Sequence, residues 1–273
     1  MGTCTVVVCS NDKYEDTWYP FFTVLKDRWK DNPFPIVLNT ESKTFSMPGI
    51  QVRTLRLYKP GEQVQWGKRL KDTLRSLDSE YVIILLEDFF LERDVDTQKV
   101  LQCIFWMDQD PGIACFNFYK TQCGRKESKY PDFMQRKQFS QYRFNAQACL
   151  WRRKDLIHFI RNDEDPWVWE AAGNCRSFRI RKKFYCCADN AKMAFEYHLP
   201  GIVRGKWNAE LVEPIVRPYG IKLDYSKRPK TTAEDVIAHT NARKDIDPFY
   251  GLRVTHGYIS TVLRHPKSLF FDE

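Results

Sequence analysis

The sequence has no apolar run long enough to cross a bilayer, so no membrane-spanning helix is expected. Its nine cysteines include no C-x-x-C pair, and the count is odd. That argues against a structural zinc site and against a disulfide framework. Cys4 and Cys9 sit in an apolar run, where a thiol packs as a small hydrophobe, and reduced cytosolic thiols account for the set. No Asn-x-Ser/Thr acceptor occurs, which agrees with a cytoplasmic location. Residues 5–9 read as a strand and not as a basic region with a small-residue cleavage site, so no leader is expected. Val6 stands where N-myristoylation requires Ser or Thr. Glycine is scarce after the first strand: residues 10–14 read Ser, Asn, Asp, Lys, Tyr, with no Gly-rich phosphate loop. Internal repeats and low-complexity segments are also absent.

What is present is enough for a core. Hydrophobic residues make up 43% and aromatics 15% of 273 residues, which rules out a disordered chain. The length fits one large α/β domain, or a main domain with a C-terminal extension. The formal net charge of +8 favours anionic partners such as a nucleotide, a phospholipid surface or nucleic acid; a solvated basic surface explains it equally.

Val6, Val7 and Val8 form an unbroken apolar run, as in a parallel strand covered on both faces. The run ends on Ser10, Asn11 and Asp12. Asp16 is placed to cap a helix to about Lys30, with Trp18, Phe22, Leu25 and Trp29 at helical spacing. Residues 35–38 and 50–55 read as short strands, the first ending on Asn39, Thr40 and Glu41. A helix is predicted over 66–77, and residues 81–86 form the strongest strand in the chain. Asp96 caps a further helix that ends at Asp110, Pro111 and Gly112, and residues 113–118 read as a strand. The order β-α-β-β-α-β-α-β specifies helices flanking a largely parallel sheet. Ligands of such sheets sit beyond the carboxyl ends of the strands. The tips to inspect are therefore 9–12, 39–41 and Glu87 with Asp88.

Beyond residue 120 the pattern changes. Residues 120–141 read as a polar, basic surface loop. Residues 142–151 are apolar, with Phe144 to Trp151 strand-like, and 154–161 are helical. Pro166 opens another helix start. Tyr185, His198, Ile202 and Val203 suggest two short strands. The chain divides at about residue 210: a main domain over 1–210, with its pattern changing at about 120, and a C-terminal extension over 211–273.

Glu87 and Asp88 follow an all-apolar strand, where a buried sheet opens to a cleft. Two adjacent anions repel, so a metal ion or a basic side chain must offset them. They also read as ordinary loop carboxylates. Trp66, Gly67, Lys68, Arg69 and Leu70 open the preceding helix, and a basic helix N-terminus suits a phosphate. Lys68 and Arg69 equally read as a solvated helix face.

The stretch from Trp66 through the 81–86 strand to Glu87, Asp88, Phe89, Phe90 and Leu91 resembles GT-A-type glycosyltransferases, especially those of bacterial capsule, lipopolysaccharide and surface-polysaccharide assembly. In these, a helix precedes a strand that ends in the "DxD" motif. Residues 6–12 resemble their first strand, whose tip holds the nucleotide base. The resemblance covers residues 5–120 and extends towards 210, and it implies a donor half over 1–120 and an acceptor half over 121–210. It implies a GT-A-like (Rossmann-like) α/β fold with a mixed, mainly parallel central sheet flanked by helices. It also implies a nucleotide-sugar donor held by Ser10, Asn11, Asp12, Asn39, Trp66, Arg69, Glu87 and Asp88. The window here is Glu87, Asp88, Phe89, so the last acid is absent. Asp88 remains the candidate ligand for Mg²⁺ or Mn²⁺, with His198 a second; a metal-independent enzyme using basic side chains is the other reading.

An inverting transfer needs a base for the acceptor hydroxyl. The resemblance puts an acid at a helix start beyond the acceptor-side strand, and Glu170 fits. Asp163, Glu164 and Asp165 compete. Trp167 and Trp169 are candidate stacking surfaces for the acceptor sugar, or core residues. Arg204 and Lys206 flank Gly205 and are candidates to stabilise the departing diphosphate. Residues 243–264 mix basic and apolar side chains, as a peripheral membrane contact near a glycan or lipid-linked acceptor would, and simple packing explains them as well. Two other functions fit a similar sheet. A sugar nucleotidyltransferase needs the Gly-rich loop that is missing. A nucleic-acid-binding module would interleave aromatics with basic residues on exposed strands. Here the aromatics follow core periodicity, so no nucleic-acid partner is expected.

Overall fold

Strands without a polar residue on either side can only sit in the middle of a layered structure. In the computed structural model, which describes residues 1–120, 124–232, 235 and 250–272, they do so. Residues 1–120 contain β1 (Cys4–Cys9), α1 (Glu15–Arg28), β2 (Ile36–Asn39), β3 (Val52–Thr54), α2 (Trp66–Arg75), β4 (Tyr81–Leu86), α3 (Thr97–Gln109) and β5 (Ile113–Asn117). Then follow β6 (Arg125–Lys126), β7 (Phe133–Arg136), β8 (Cys149–Arg152), α4 (Arg153–Phe159), α5 (Pro166–Val168), a π-helical turn (Trp169–Gly173), α6 (Asn174–Ser177) and β9 (Lys183–Cys187). The hairpin β10 (Ile202–Val203) and β11 (Lys206–Trp207), α7 (Ala209–Val216) and α8 (Tyr250–Arg264) complete the described elements.

One sheet has the order β3-β2-β1-β4-β8-β5-β9-β7-β6. β3, β2, β1 and β4 run parallel, and β9 is parallel to β5. β8 is inserted antiparallel between β4 and β5. The result is an α/β fold with a mixed, mainly parallel sheet flanked by helices. Alternate strand residues feed two cores. Val6, Val8, Tyr81, Ile83 and Leu85 pack with Trp18, Phe22 and Ile104 from α1 and α3. Val7, Val82 and Ile84 pack on the other face with Leu70, Leu74, Leu156 and Phe159 from α2 and α4.

The observed elements depart from expectation in places where a tertiary partner outweighs a local signal. α1 starts at Glu15 with no side-chain cap, and Asn11 instead caps a short 3-10 turn before it. Asp16, expected as the cap, pairs with Arg228 at 2.9 Å. Asp96 caps α3 as expected, accepting from the Lys99 N–H at 2.9 Å. The segment expected as a surface loop over 120–141 adds β6 and β7 to the sheet through β9. Its pattern misleads because Arg136 is buried there, at 2% exposure. Of the strand expected over 144–151, only residues from Cys149 are strand. Arg143 pins the irregular part: it donates to the Lys182 carbonyl at 2.7 Å and lies 4.3 Å over the Phe184 ring. His198 lies in a loop and not in a strand.

The C-terminal residues pack on the main body. Val212 and Val216 of α7 join the first core. Phe271 stacks on His158 at 4.3 Å, and Asp272 pairs with Lys71 at 2.9 Å and Arg161 at 3.1 Å. Residues 243–249 of the basic, apolar segment lie outside the described residues; in α8, Tyr258 is buried whereas Ile259 and Leu263 are exposed. Among the described residues no helix is long and apolar enough to cross a membrane.

Candidate active site

β1 and β4 are neighbours in register, Cys9 against Leu86, so the next residues on each, Ser10 and Glu87, meet at the sheet's carboxyl end. The Ser10 hydroxyl donates to Glu87 Oε1 at 3.1 Å and accepts from the Trp18 indole N–H at 2.7 Å. Glu87 is 6% exposed. Burial raises its carboxyl well above the usual range, and the neighbouring Asp88 charge raises it further. Burial likewise raises Asp88, and Arg228 is the cation that opposes the rise. Asp88 is tied through its backbone: its carbonyl accepts the Gly201 N–H at 2.5 Å.

The β1 and β2 tips are cross-linked by Asp12. Its carboxylate accepts from the N–H groups of Glu41 (3.1 Å) and Ser42 (3.0 Å) and from the Ser42 hydroxyl (2.7 Å). Burial works against that charge, yet these donors hold the carboxyl below its usual value. Beside these tips lies a cleft of about 590 Å³, walled by Asn11, Asp12, Tyr14, Glu41, Gln63 and Arg69 among others. Arg69, from the first turn of α2, is 7% exposed and pairs with Glu41. Asn39 is 1% exposed at the tip of β2, and among the described residues its side-chain oxygen has no hydrogen-bond partner. Trp66 starts α2 and packs its ring 5.6 Å from Trp169. Gly67 lets α2 touch the loop before α5: its N–H donates to the Glu164 carbonyl at 2.9 Å, and a Cβ there would meet the Arg161 carbonyl at 2.0 Å.

Glu170 reaches the same end of the sheet by another route. Asp165 caps α5 by accepting from the Val168 N–H at 2.8 Å, with Pro166 at the first position. The helix then widens into the π-helical turn that carries Glu170. Glu170 Oε1 accepts the Ala146 N–H at 2.7 Å. Ala146 lies three residues before Cys149, and Glu87 three residues after Ile84, the strand partner of Cys149. Burial raises the Glu170 carboxyl to about 7, opposed by that single N–H donor. The competing acids are otherwise engaged: Glu164 lies fully buried against Arg176, Asp163 pairs with Arg161, and Asp165 is the cap.

Other candidate residues are dispersed. Trp169 is buried between Phe144 and Trp151, whereas Trp167 is 71% exposed. Arg204 (φ 50°) and Gly205 (φ 77°) form the turn of the β10–β11 hairpin, with Arg204 exposed. Lys206 pairs with Asp235 at 2.8 Å, and the exposed His198 with Glu92 at 2.9 Å. Among the described residues no group of three or more His, Cys, Asp and Glu side chains is placed to hold a metal ion.

Two residues at the site escaped sequence reasoning. Arg228 lies 4.4 Å over the Tyr14 ring, and both feel the charges of Glu87 and Asp88. The run of Lys227, Arg228, Pro229 and Lys230 has the look of a solvated basic loop, so no local signal singles Arg228 out. A Tyr two residues beyond the first tip offers only its position.

No family model matches the sequence, and no curated protein is similar to it. Solved structures are similar in chain path at low identity. Residues 1–349 of TarS from S. aureus, in complex with UDP, align at 11% identity with a TM-score of 0.47, covering 98% of this chain and 83% of that one. Against the longer TarS structure, this chain spans 37% of that chain's length. The mannosyltransferase PcManGT from Pyrobaculum calidifontis, in complex with GDP-Man and Mn²⁺, aligns at 12% identity with a TM-score of 0.47, covering 97% and 81%. A CMP:2-keto-3-deoxy-manno-octonic acid synthetase complexed with CTP aligns at 12% identity with a TM-score of 0.42, covering 80% and 98%.

Proposed function

We propose that the chain is a glycosyltransferase that moves a sugar from a nucleoside-diphosphate donor to a hydroxyl of a surface-glycan or lipid-linked acceptor. The observation that carries this reading is the buried Glu87 with Asp88 at the tip of β4, next to the cleft formed by the β1 and β2 tips. A carboxylate pair there has no role in packing, and burial makes it costly to keep. The cleft takes the nucleoside, with Asn11, Asp12 and Arg69 in its wall, Asn39 buried at the β2 tip and Trp66 at the start of α2 behind them, and Ser10 holds Glu87 in place. Asp88 is half-buried and its carboxylate is not spent on a serine, so it suits the diphosphate end.

The same residue fits a Mg²⁺ or Mn²⁺ ion. A hard cation of this kind takes one or two carboxylates and completes its shell with substrate phosphates and water. Bound there, it would offset charge on the leaving diphosphate. His198 is engaged by Glu92 and is the weaker ligand.

Glu170 is the proposed base. As the acceptor oxygen bonds to the anomeric carbon, its proton passes to Glu170, and the bond to the diphosphate breaks with its electron pair leaving on the diphosphate. Attack from the face opposite the leaving group inverts the configuration. A carboxyl raised to about 7 is ionised in part at neutral pH and takes a proton readily. Trp167, three residues earlier and exposed, offers a ring to the acceptor, with Trp169 holding the turn from the core. Arg204 and Lys206 are the cations of the nearby hairpin for the departing charge. A cytoplasmic enzyme working at the membrane face, through the exposed apolar and basic side chains of α8, fits a lipid-linked acceptor.

Thermal shift against UDP-, GDP-, CMP- and dTDP-sugars, with and without Mn²⁺, tests the reading. At least one donor should raise the melting temperature; stabilisation by none of them overturns it.

A further inference from the structure

Arg228 is only 7% exposed, yet it lies in a stretch without helix or strand far along the chain from the strand tips. Its contacts join the turn at the edge of the cleft to the β10–β11 hairpin. On the side of the turn it forms a two-pronged pair with Asp16, both contacts at 2.9 Å, and donates to the Lys13 carbonyl at 3.3 Å. It also lies over Tyr14, a residue of the cleft wall. On the side of the hairpin it donates to the Gly205 carbonyl at 3.0 Å and faces the Trp207 ring at 6.0 Å. The segment around it is tied to the same hairpin: the Trp207 N–H donates to the Pro229 carbonyl, and the Thr231 N–H to the Trp207 carbonyl, both at 2.8 Å. The same hairpin continues to Asp88 through the Gly201 N–H.

The geometry points to Arg228 as the positioning residue of the donor site, fastening the hairpin that holds the Asp88 backbone to the turn that carries Tyr14. This rests on the reading of the cleft as a nucleotide-sugar site. It places the 224–232 segment inside the site's framework. The fork matters because a guanidinium satisfies a carboxylate with two parallel bonds while its face covers a ring, and an ammonium does neither in that way. Burial lowers the tendency of Arg228 to hold its proton, but Asp16 outweighs this and keeps it charged. The cation beside Glu87 and Asp88 is thus a permanent one.

The test compares the wild type with Arg228→Lys and Asp16→Asn, using titration calorimetry with UDP and GDP and steady-state kinetics with the nucleotide sugar that stabilises the wild type. Both variants should melt below the wild type, because each weakens a nearly buried ion pair, and both should still be folded at the assay temperature by circular dichroism. Both should bind the nucleoside diphosphate on the order of tenfold more weakly, raising KM for the donor while KM for the acceptor stays put. The double variant should lose no more than the worse single one, since the two residues act as a pair. Folded variants that bind UDP or GDP with wild-type affinity overturn the assignment, as does an equal loss in donor and acceptor affinity. A wild type that binds neither nucleotide overturns the reading of the cleft itself, which separates the two failures.

Discussion

The tip of β4 and the π-helical turn at 169–173 bring carboxyl groups to one end of the sheet, and they are held in opposite ways. Glu87 sits on a strand fixed by both neighbours, with Ser10 bonded to its carboxylate and Trp18 bonded to Ser10. Its carboxyl is raised by burial and by a second anion. Glu170 rides on an irregular turn, has one N–H partner, and is raised by burial alone. A carboxylate that must bind needs fixed geometry, whereas one that must take a proton needs little competition for it. The turn gains its rigidity at a distance. Arg176, two residues beyond the turn's end at Asn174, pairs with Glu164 with both side chains at 0% exposure. It also donates to the Phe159 and Ser268 carbonyls. Glu164 in turn receives the Gly67 N–H of α2 on its carbonyl. One ion pair therefore links the turn, the helix that carries Arg69, and the C-terminal residues.

The contrast can be tested hardest at Glu170. Glu170→Gln keeps the acceptor of the Ala146 N–H and removes the base, so turnover should fall by roughly 10²–10⁴ while donor binding stays at wild type. Single-turnover kinetics beside a binding titration reads both; full turnover would remove Glu170 from the base role. Next is the distant support. Arg176→Met leaves the Glu164 carboxylate buried without a cation and with only the Arg161 N–H as donor, and stability should drop by about 3–5 kcal/mol in urea titration. A loss under 1 kcal/mol would mean that the pair does not hold the turn. The smallest effect is on pH. Turnover should rise with pH through about 7 as Glu170 ionises, and Glu170→Gln should flatten that limb. Stability runs the other way. A carboxyl raised in the folded chain holds its proton more tightly than the unfolded chain does, so its contribution is full below the usual carboxylate range and is lost as pH rises through about 7. Thermal melts of wild type and Glu170→Gln across that window check the sign.

Legibility follows the same divide. Residues 1–120 were readable because most strands there are short, apolar and bounded by turn residues, and β4 falls on residues 81–86 as expected. Helix boundaries shifted by a few residues, as at α1, where Asp16 has a remote partner. Beyond residue 120 the signals inverted. Buried Arg136 and Arg143 made sheet and core look like surface, since their charges are met by backbone carbonyls that no sequence pattern displays. Of the candidate site, Glu87, Asp88, Asp12 and Arg69 were proposed from strand tips and a helix start, and the structure brings these tips together at one end of the sheet. Glu170 was reached through a resemblance and a helix signal at Pro166. Arg228 was not legible, because a buried cation in a basic loop differs from its neighbours only in what it touches.

The sequence by itself determined the α/β order, the two-faced burial of β1 and β4, and the acids at the tip of β4, because these depend on local periodicity and on where an apolar run ends. Only the tertiary structure decided which charges meet. Asp16 with Arg228, Arg176 with Glu164, and Glu170 with the Ala146 N–H are contacts between segments 212, 12 and 24 residues apart. Pairings of that kind are set by strand order and helix packing, and burial makes each of them obligatory once the chain has closed around it.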